Sequence, residues 1–264
     1  MSNDVKPWAY LVSIYNLGNE ISGGDKILIY LIRYLSENYR VKLFCAPEVV
    51  SFIHKDPIFN EISIEVVGEA FPANVEVSVS RLAAHMFARY SAFKKSIQVA
   101  YDLEPPKIVY SASDFPPDLM GGVYLKKKFP LSKLIAGYYL FAPHPLRSDS
   151  PYKGIRRLRG IVYWLMQLIT IKIAKKHGDY LFVTSPAEKK TALKRWKSSP
   201  NEIGVVYGGI PLDEIQRYIS THSLSANDMK CEYDGVFVGR LHYQKGVLNL
   251  VDIWERVVEI QPNS

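Results

Sequence analysis

Residues 8–46 read WAYLVSIYNLGNEISGGDKILIYLIRYLSENYRVKLFCA. WAYLVSIY is a short apolar run of the kind a buried strand needs. NLGNEISGGD is rich in turn formers. KILIYLIRYLSENY has helical length and period, and Ser22 or Asp25 is placed to cap it. RVKLFCA returns to a strand pattern. Strand, glycine turn, helix, strand is a βαβ unit, which joins parallel strands.

The alternation continues. ISIEVV, KIVYSAS, KLIAGYYLFA, DYLFVTS and EIGVVY are strand candidates. VSRLAAHMFARYSAFKKSIQVAY, PDLMGGVYLKKKF, IRRLRGIVYWLMQLITIKIAKK and AEKKTALKRWK have helical length between them. About seven strands alternating with helices predict an α/β fold with a doubly wound, mostly parallel, Rossmann-like sheet. From Leu212 to Glu232 the pattern turns polar and irregular. A strand, DGVFVGR, and a helix, KGVLNLVDIWERVVEIQ, are predicted after it. The expected organisation is a domain over 1–211, a linker over 212–230, and the first strand–helix unit of a second domain over 231–264. One strand and one helix cannot bury a core of their own, so the chain is expected to be a fragment of a longer protein.

Composition is that of a globular protein, with 48% hydrophobic and 22% charged residues. The net charge of +7 is concentrated: residues 121–200 hold 17 Lys/Arg against 3 Asp/Glu. Such a stretch suits anionic lipid, a phosphorylated substrate or nucleic acid, or is a solvated basic surface. No RRM, KH or helix-turn-helix signature accompanies it, so no nucleic-acid partner is expected. Cys45 and Cys231 form neither a disulfide framework nor a zinc pattern, HExxH is absent, and no metal is expected. No G-x-S-x-G elbow supports serine-hydrolase chemistry. The start carries no basic, apolar, small-residue leader pattern, and a cytoplasmic location is the expectation.

Several places suit ligand chemistry. Gly23 and Gly24 let backbone N–H groups approach an anion at a helix start, or simply make a tight turn. In FVGRLHYQKG, Arg240 offers a planar fork and Lys245 a point charge at a second strand-to-helix turn. Two cations there oppose the helix dipole unless an anion joins them; solvated surface charges are the alternative. SASDFPPDLMGG places Asp114 and Asp118 just past a strand, as carboxylates for sugar hydroxyls or proton transfer. Asp114 or Ser113 equally suits an N-cap for the helix begun by Pro116 and Pro117. His144, in FAPHPLR, is held in a proline-bounded loop, over a cleft or on the open surface. Arg156, Arg157 and Arg159 flank the apolar run 160–174. Fifteen helical residues span about 22 Å, short of the roughly 30 Å of hydrocarbon. That helix is therefore either a buried helix with basic ends or an interfacial one on anionic lipid.

These segments share an order with a known family. ISGGDKILIYLIRYL, SASDFPPD, LFVTSPAEKK, VVYGGIP and FVGRLHYQKGVLNLVDIW together resemble the retaining glycosyltransferases of family 4, glycosyl transferase group 1. The resemblance implies a GT-B fold, of which this chain is the N-terminal half plus the start of the C-terminal domain. It implies a nucleotide-sugar donor, a lipid-linked or glycan acceptor, transfer to a hydroxyl with retained configuration, and no cofactor. Gly23 and Gly24 match the loop near the donor phosphates, and Arg240 and Lys245 the basic pair on the donor diphosphate. His144 takes the place of the histidine near the transferred sugar, in a different local pattern. Gly208–Pro211 (GGIP) departs from the family's Asn-Gly-Val-Asp. The family's Glu-x7-Glu pair is matched in spacing only by Glu61 and Glu69, which bracket ISIEVV in the first domain. A transferase at the cytoplasmic membrane face, in glycolipid or polysaccharide synthesis, is what the resemblance implies, with this chain alone inactive. A catalytically inactive module docking on anionic membrane or a partner protein is the alternative.

Overall fold

The structure is a computed structural model. It describes residues 5–16, 21–54, 56–71, 78–100, 102–148, 150–154, 156–197, 199, 202–208, 212–222, 235–238 and 246–261. Seven strands are β1 Trp8–Ser13, β2 Arg40–Cys45, β3 Ser63–Val66, β4 Pro106–Ser111, β5 Lys133–Gly137, β6 Tyr180–Val183 and β7 Ile203–Val205. They form one sheet in the order β3-β2-β1-β4-β5-β6-β7, with every neighbouring pair parallel. The doubly wound sheet expected from the alternation is the one observed.

Helices cover both faces. On one lie α1 Gly23–Ser36 and α2 Pro47–Ile53, which pack Leu28, Ile32, Val49 and Ile53 against Ala9, Leu11 and Leu43. On the other lie α3 Val79–Val99, α4 Pro116–Lys128, α5 Arg156–His177 and α6 Pro186–Trp196, with Phe93, Leu119, Ile171 and Ala192 turned onto Val12, Val109 and Leu134. Alternate residues of β1 serve the two cores, as the pleat requires. The central strands are buried on both faces and read as continuous apolar runs.

Close packing of α4 depends on its glycine pair. A Cβ at Gly121 would stand 2.8 Å from Val12 Cγ1, and one at Gly122 would stand 3.0 Å from Leu134 Cδ1. With no side chain there, α4 lies directly on β1 and β5, which sets the position of its first turn at the sheet edge.

Several elements differ from the sequence expectation. The short helix α2, with Pro47 in its first turn and no side-chain cap, and a 3-10 turn at Pro57–Asn60 connect β2 to β3. Strand β5 stops at Gly137, so Tyr138–Ala142 leave the ladder after one last bond from Tyr138 N to Phe182 O. Leu212–Thr221, read as irregular linker, is a helix, α7. Its apolar residues Leu212, Ile215, Tyr218 and Ile219 recur at helical spacing and are exposed. Residues 235–238, expected in a strand, form none, and Val236 and Val238 are exposed. The last helix, α8 Val247–Ile260, is amphipathic and has no buried residue. Glu61 and Glu69 stand exposed beyond opposite ends of β3.

Candidate functional site

The sheet changes winding direction between β1 and β4, because β1 leads outward to β2 while β4 leads the other way to β5. Loops leaving such a switch point diverge and open a crevice at the carboxyl ends of the strands. Here that edge carries Ile14–Asn16 after β1, Ser22–Gly24 at the start of α1, and Ala112–Phe115 after β4.

The exit of β1 is pinned from both sides. Ile14 N and Tyr15 N donate to Asp118 Oδ1 at 2.7 and 2.9 Å. Ser113 Oγ donates to Asp118 Oδ2 at 2.5 Å and accepts from Phe115 N at 3.3 Å. The Ile14 carbonyl accepts from Arg89 Nη1 at 3.4 Å, as does Val67 O. Arg89 Nη2 meets both Glu48 oxygens at 2.7 Å, and Glu48 Oε1 also accepts from Phe71 N. Arg89 and Asp118 are each 1% exposed. One strand exit is thus held between a buried cation and a buried acid.

A second bracket starts at Gln167 on α5, itself buried. Its Nε2 donates to Asp114 Oδ2 and to Leu140 O, and its Oε1 accepts from Ala142 N, all at 2.8 Å. Gln167 therefore joins the loop after β4 to the loop after β5. Gly160 and Trp164 share its face of α5. A Cβ at Gly160 would stand 2.4 Å from the Tyr152 ring, and the His144 ring lies 4.9 Å from Trp164. The loop 138–154 is seated on α5 by these residues.

Aromatic rings stack along this edge. Tyr15 stacks on Phe115 at 4.3 Å and 25°, and Phe115 on Tyr163 at 5.8 Å and 20°. Burial, then the Asp118 and Asp114 charges, keep the Tyr15 hydroxyl protonated well above the ordinary phenol range. Tyr139, hydrogen-bonded to Tyr110, packs against Gly24, where a Cβ would stand 3.4 Å from its ring. Ser22 caps α1: its Oγ accepts from Asp25 N, and Asp25 Oδ2 accepts from Ser22 N.

These contacts revise several expectations. Neither Asp114 nor Ser113 caps α4; its N-cap is Phe115, without a side-chain bond. Asp118 has both oxygens engaged and Asp114 is turned to Gln167, so both carboxylates hold loops. Burial raises them to about 6 for Asp114 and about 7 for Asp118, against the hydrogen bonds that lower them. Three expected catalytic groups are not brought together. Asp118 serves β1, Asp114 serves α5, and His144 lies on Trp164, its Nδ1 accepting from Leu146 N at 3.3 Å. His144 lines a cleft of about 570 Å³ between the loop after β5 and α6.

Gly23 and Gly24 stand at the start of α1, with open space beside Gly23. Arg157 and Arg159 are exposed on the first turn of α5; the side chain of Arg156 lies outside the described residues. Arg240 and Lys245 also lie outside them. Arg89 and Gln167 were not found in the sequence, because neither a long helix nor a polar residue in an apolar run announces a partner far along the chain. Among the described residues no group of three His, Cys, Asp or Glu is placed to hold a metal ion.

No family model matches the sequence, and no curated protein gives a significant match. Solved structures do. Arabidopsis thaliana UGT89C1, complexed with UDP-L-rhamnose, is 11% identical with a TM-score of 0.51, over 87% of this chain and 55% of that one. A UDP-glucosyltransferase from Polygonum tinctorium is 8% identical with a TM-score of 0.48, over 83% and 57%. The UDP-GlcNAc 2-epimerase of Methanocaldococcus jannaschii is 15% identical with a TM-score of 0.40, over 75% and 45%. The chain spans about half the length of each of these proteins. The likeness to the Arabidopsis structure is one of fold: the Rossmann-like half of the GT-B architecture.

Proposed function

We propose that this chain is the acceptor-binding half of a glycosyltransferase that moves a sugar from a nucleotide-sugar to an acceptor hydroxyl. The observation that carries the reading is the set of pinned loops and stacked aromatic rings at the β1/β4 switch point. Rigid positioning is what group transfer requires of a scaffold, and here a buried ion pair and a buried acid supply it. The Tyr15–Phe115–Tyr163 stack offers apolar ring edges to the C–H face of a sugar, and the Tyr15 hydroxyl offers a hydrogen bond. The fold shared with a UDP-L-rhamnose complex supports a nucleotide-sugar as donor.

Arg240 and Lys245 are assigned to the donor diphosphate, where they offset the charge growing on the leaving nucleotide, with Gly23 and Gly24 beside it. Retention of configuration follows from the resemblance to family 4. The chain alone is expected to turn over little, since only Glu61 and Glu69 show the spacing of the family's donor-contacting Glu pair and both stand at β3, away from the crevice.

Saturation-transfer NMR of the chain with soluble glycans and detergent-solubilised glycolipids tests the reading. Saturation on acceptor sugar protons, lost in Phe115→Ala and kept in Leu168→Ala, is expected. Saturation unaffected by Phe115→Ala would move the acceptor elsewhere.

A second reading has its own observation. Leu158, Leu165 and Ile169 form an exposed apolar stripe on α5, continued by Lys172 and Lys176 and flanked by Arg157 and Arg159. Among the described residues no helix is long and apolar enough to cross a membrane. Such a stripe suits the interface of an anionic membrane. Sedimentation with vesicles tests it: binding that rises with acidic lipid and falls in Arg157→Glu/Arg159→Glu is expected, and binding indifferent to lipid charge overturns it.

A further inference from the structure

The cleft between the loop after β5 and helix α6 has a chemistry that the transferase reading leaves unused. Arg147, Lys194, Arg195 and His144 line it together with Ser150 and Thr191, and among the described residues no Asp or Glu lines it. Among the described residues none of the three cations has a carboxylate partner within salt-bridge distance. Two other cationic positions are neutralised: Lys126 and Lys133 share Asp179, and Arg89 holds Glu48. Like charges gathered around one concavity raise its potential and attract a counter-charge.

The walls are built, not incidental. Arg147 N donates to His144 O, Ser150 N donates to Arg147 O, and Tyr152 N donates to Ser150 Oγ. These turns, with Gln167 holding Ala142 and Trp164 under His144, fix the loop that carries Arg147. On the opposite wall Thr191, Lys194 and Arg195 follow at i, i+3 and i+4, so one face of α6 presents all three. Thr191 Oγ1 donates to Ala187 O, so the two cations are the groups of this face that suit an anion. Ser150 is buried, its oxygen accepts from Tyr152 N, and among the described residues its own proton is not donated. A volume of about 570 Å³ lies within the range of small-molecule sites.

We propose that this cleft binds a phosphate monoester or diphosphate, with Arg147, Lys194 and Arg195 as charge partners and the Ser150 hydroxyl as a further donor. Concavity and three converging cations favour a compact anion of multiple charge over an extended polyanion. The site stands whether or not the β1/β4 crevice holds an acceptor. Two sources share the chemistry: a soluble phosphoester, or a phosphorylated lipid headgroup reaching the cleft beside α5.

The test uses the full chain in two arms. Inorganic pyrophosphate is titrated by calorimetry, and vesicles of phosphatidylcholine with and without phosphatidic acid are sedimented. Each arm is run on the wild type, on Arg147→Ala/Lys194→Ala, on Lys194→Arg, and on Arg157→Glu/Arg159→Glu. All substitutions are at exposed positions, and unchanged circular dichroism checks the fold. Loss of two charge-assisted contacts is expected to weaken binding more than tenfold in the double alanine variant, with recovery in Lys194→Arg and weakening at high salt. Pyrophosphate binding that follows these variants supports a soluble phosphoester, and vesicle binding alone that follows them supports a lipid phosphate. Binding in neither arm, or binding lost only in Arg157→Glu/Arg159→Glu, overturns the site.

Discussion

The loops at the carboxyl edge of β1, β4 and β5 and the helices beyond β7 are both rich in apolar and charged residues, yet they are built differently. At the sheet edge the described loops are tied by buried polar side chains: Asp118 and Arg89 at Ile14, Gln167 at Leu140 and Ala142, and Asp25 at the Ser22 N–H. In α8 the helix has no buried residue, and α7 shows exposed apolar positions along its length. Among the described residues, interior hydrogen bonds fix the geometry of the first region and not that of α7 or α8.

The largest effect should come from breaking the buried ion pair. Glu48→Gln leaves Arg89 buried without a counter-charge, a change that costs about 3–5 kcal/mol. Urea unfolding measures it, and a loss under about 1 kcal/mol would show that the strand exit is not held this way. Asp118→Ala comes next. It strands the Ile14 and Tyr15 N–H groups, at about 1–3 kcal/mol for each buried donor.

Asp118→Asn separates shape from charge. The folded protein raises Asp118 to about 7 from its ordinary 3.8 and Asp114 to about 6. Both groups hold their protons more firmly when folded, so their contribution is full below about pH 4 and is lost as pH rises through about 6 and 7. Wild-type stability should therefore fall over that window, and Asp118→Asn should flatten the fall. An equal slope in the variant would assign the pH dependence elsewhere. The smallest effect belongs to the other region: Val251→Ser and Ile253→Ser on α8 should each change stability by about 0.5 kcal/mol or less. A larger loss would mean that α8 packs on the domain.

Local patterns carried most of this fold. The 2.0 and 3.6 periods located the seven strands and the long helices, and Ser22-x-x-Asp25 announced its own cap. Helix α2 was missed because seven residues beginning with Pro47 show too few turns to establish a period. The strand expected at DGVFVGR needs a neighbouring strand to pair with, and Val236–Val238 have none among the described residues. The candidate site was the least legible. Asp118 meets Ile14 across 104 residues of sequence, and Gln167 meets Asp114 across 53. Residue type suggested a carboxylate for catalysis or a cap; only the fold shows one fastening a strand. Arg240 and Lys245 lie outside the described residues, so their assignment rests on resemblance.

Hydrogen exchange read by mass spectrometry, with UDP-glucose and a detergent-solubilised glycolipid added singly and together, tests the central claim that the β1/β4 crevice is the acceptor site. The account expects glycolipid to slow exchange in the segments containing Ile14–Asn16 and Ala112–Phe115, with no such change in Glu48→Gln. Protection confined to α8, or unchanged exchange at both loops while glycolipid is bound, would contradict it.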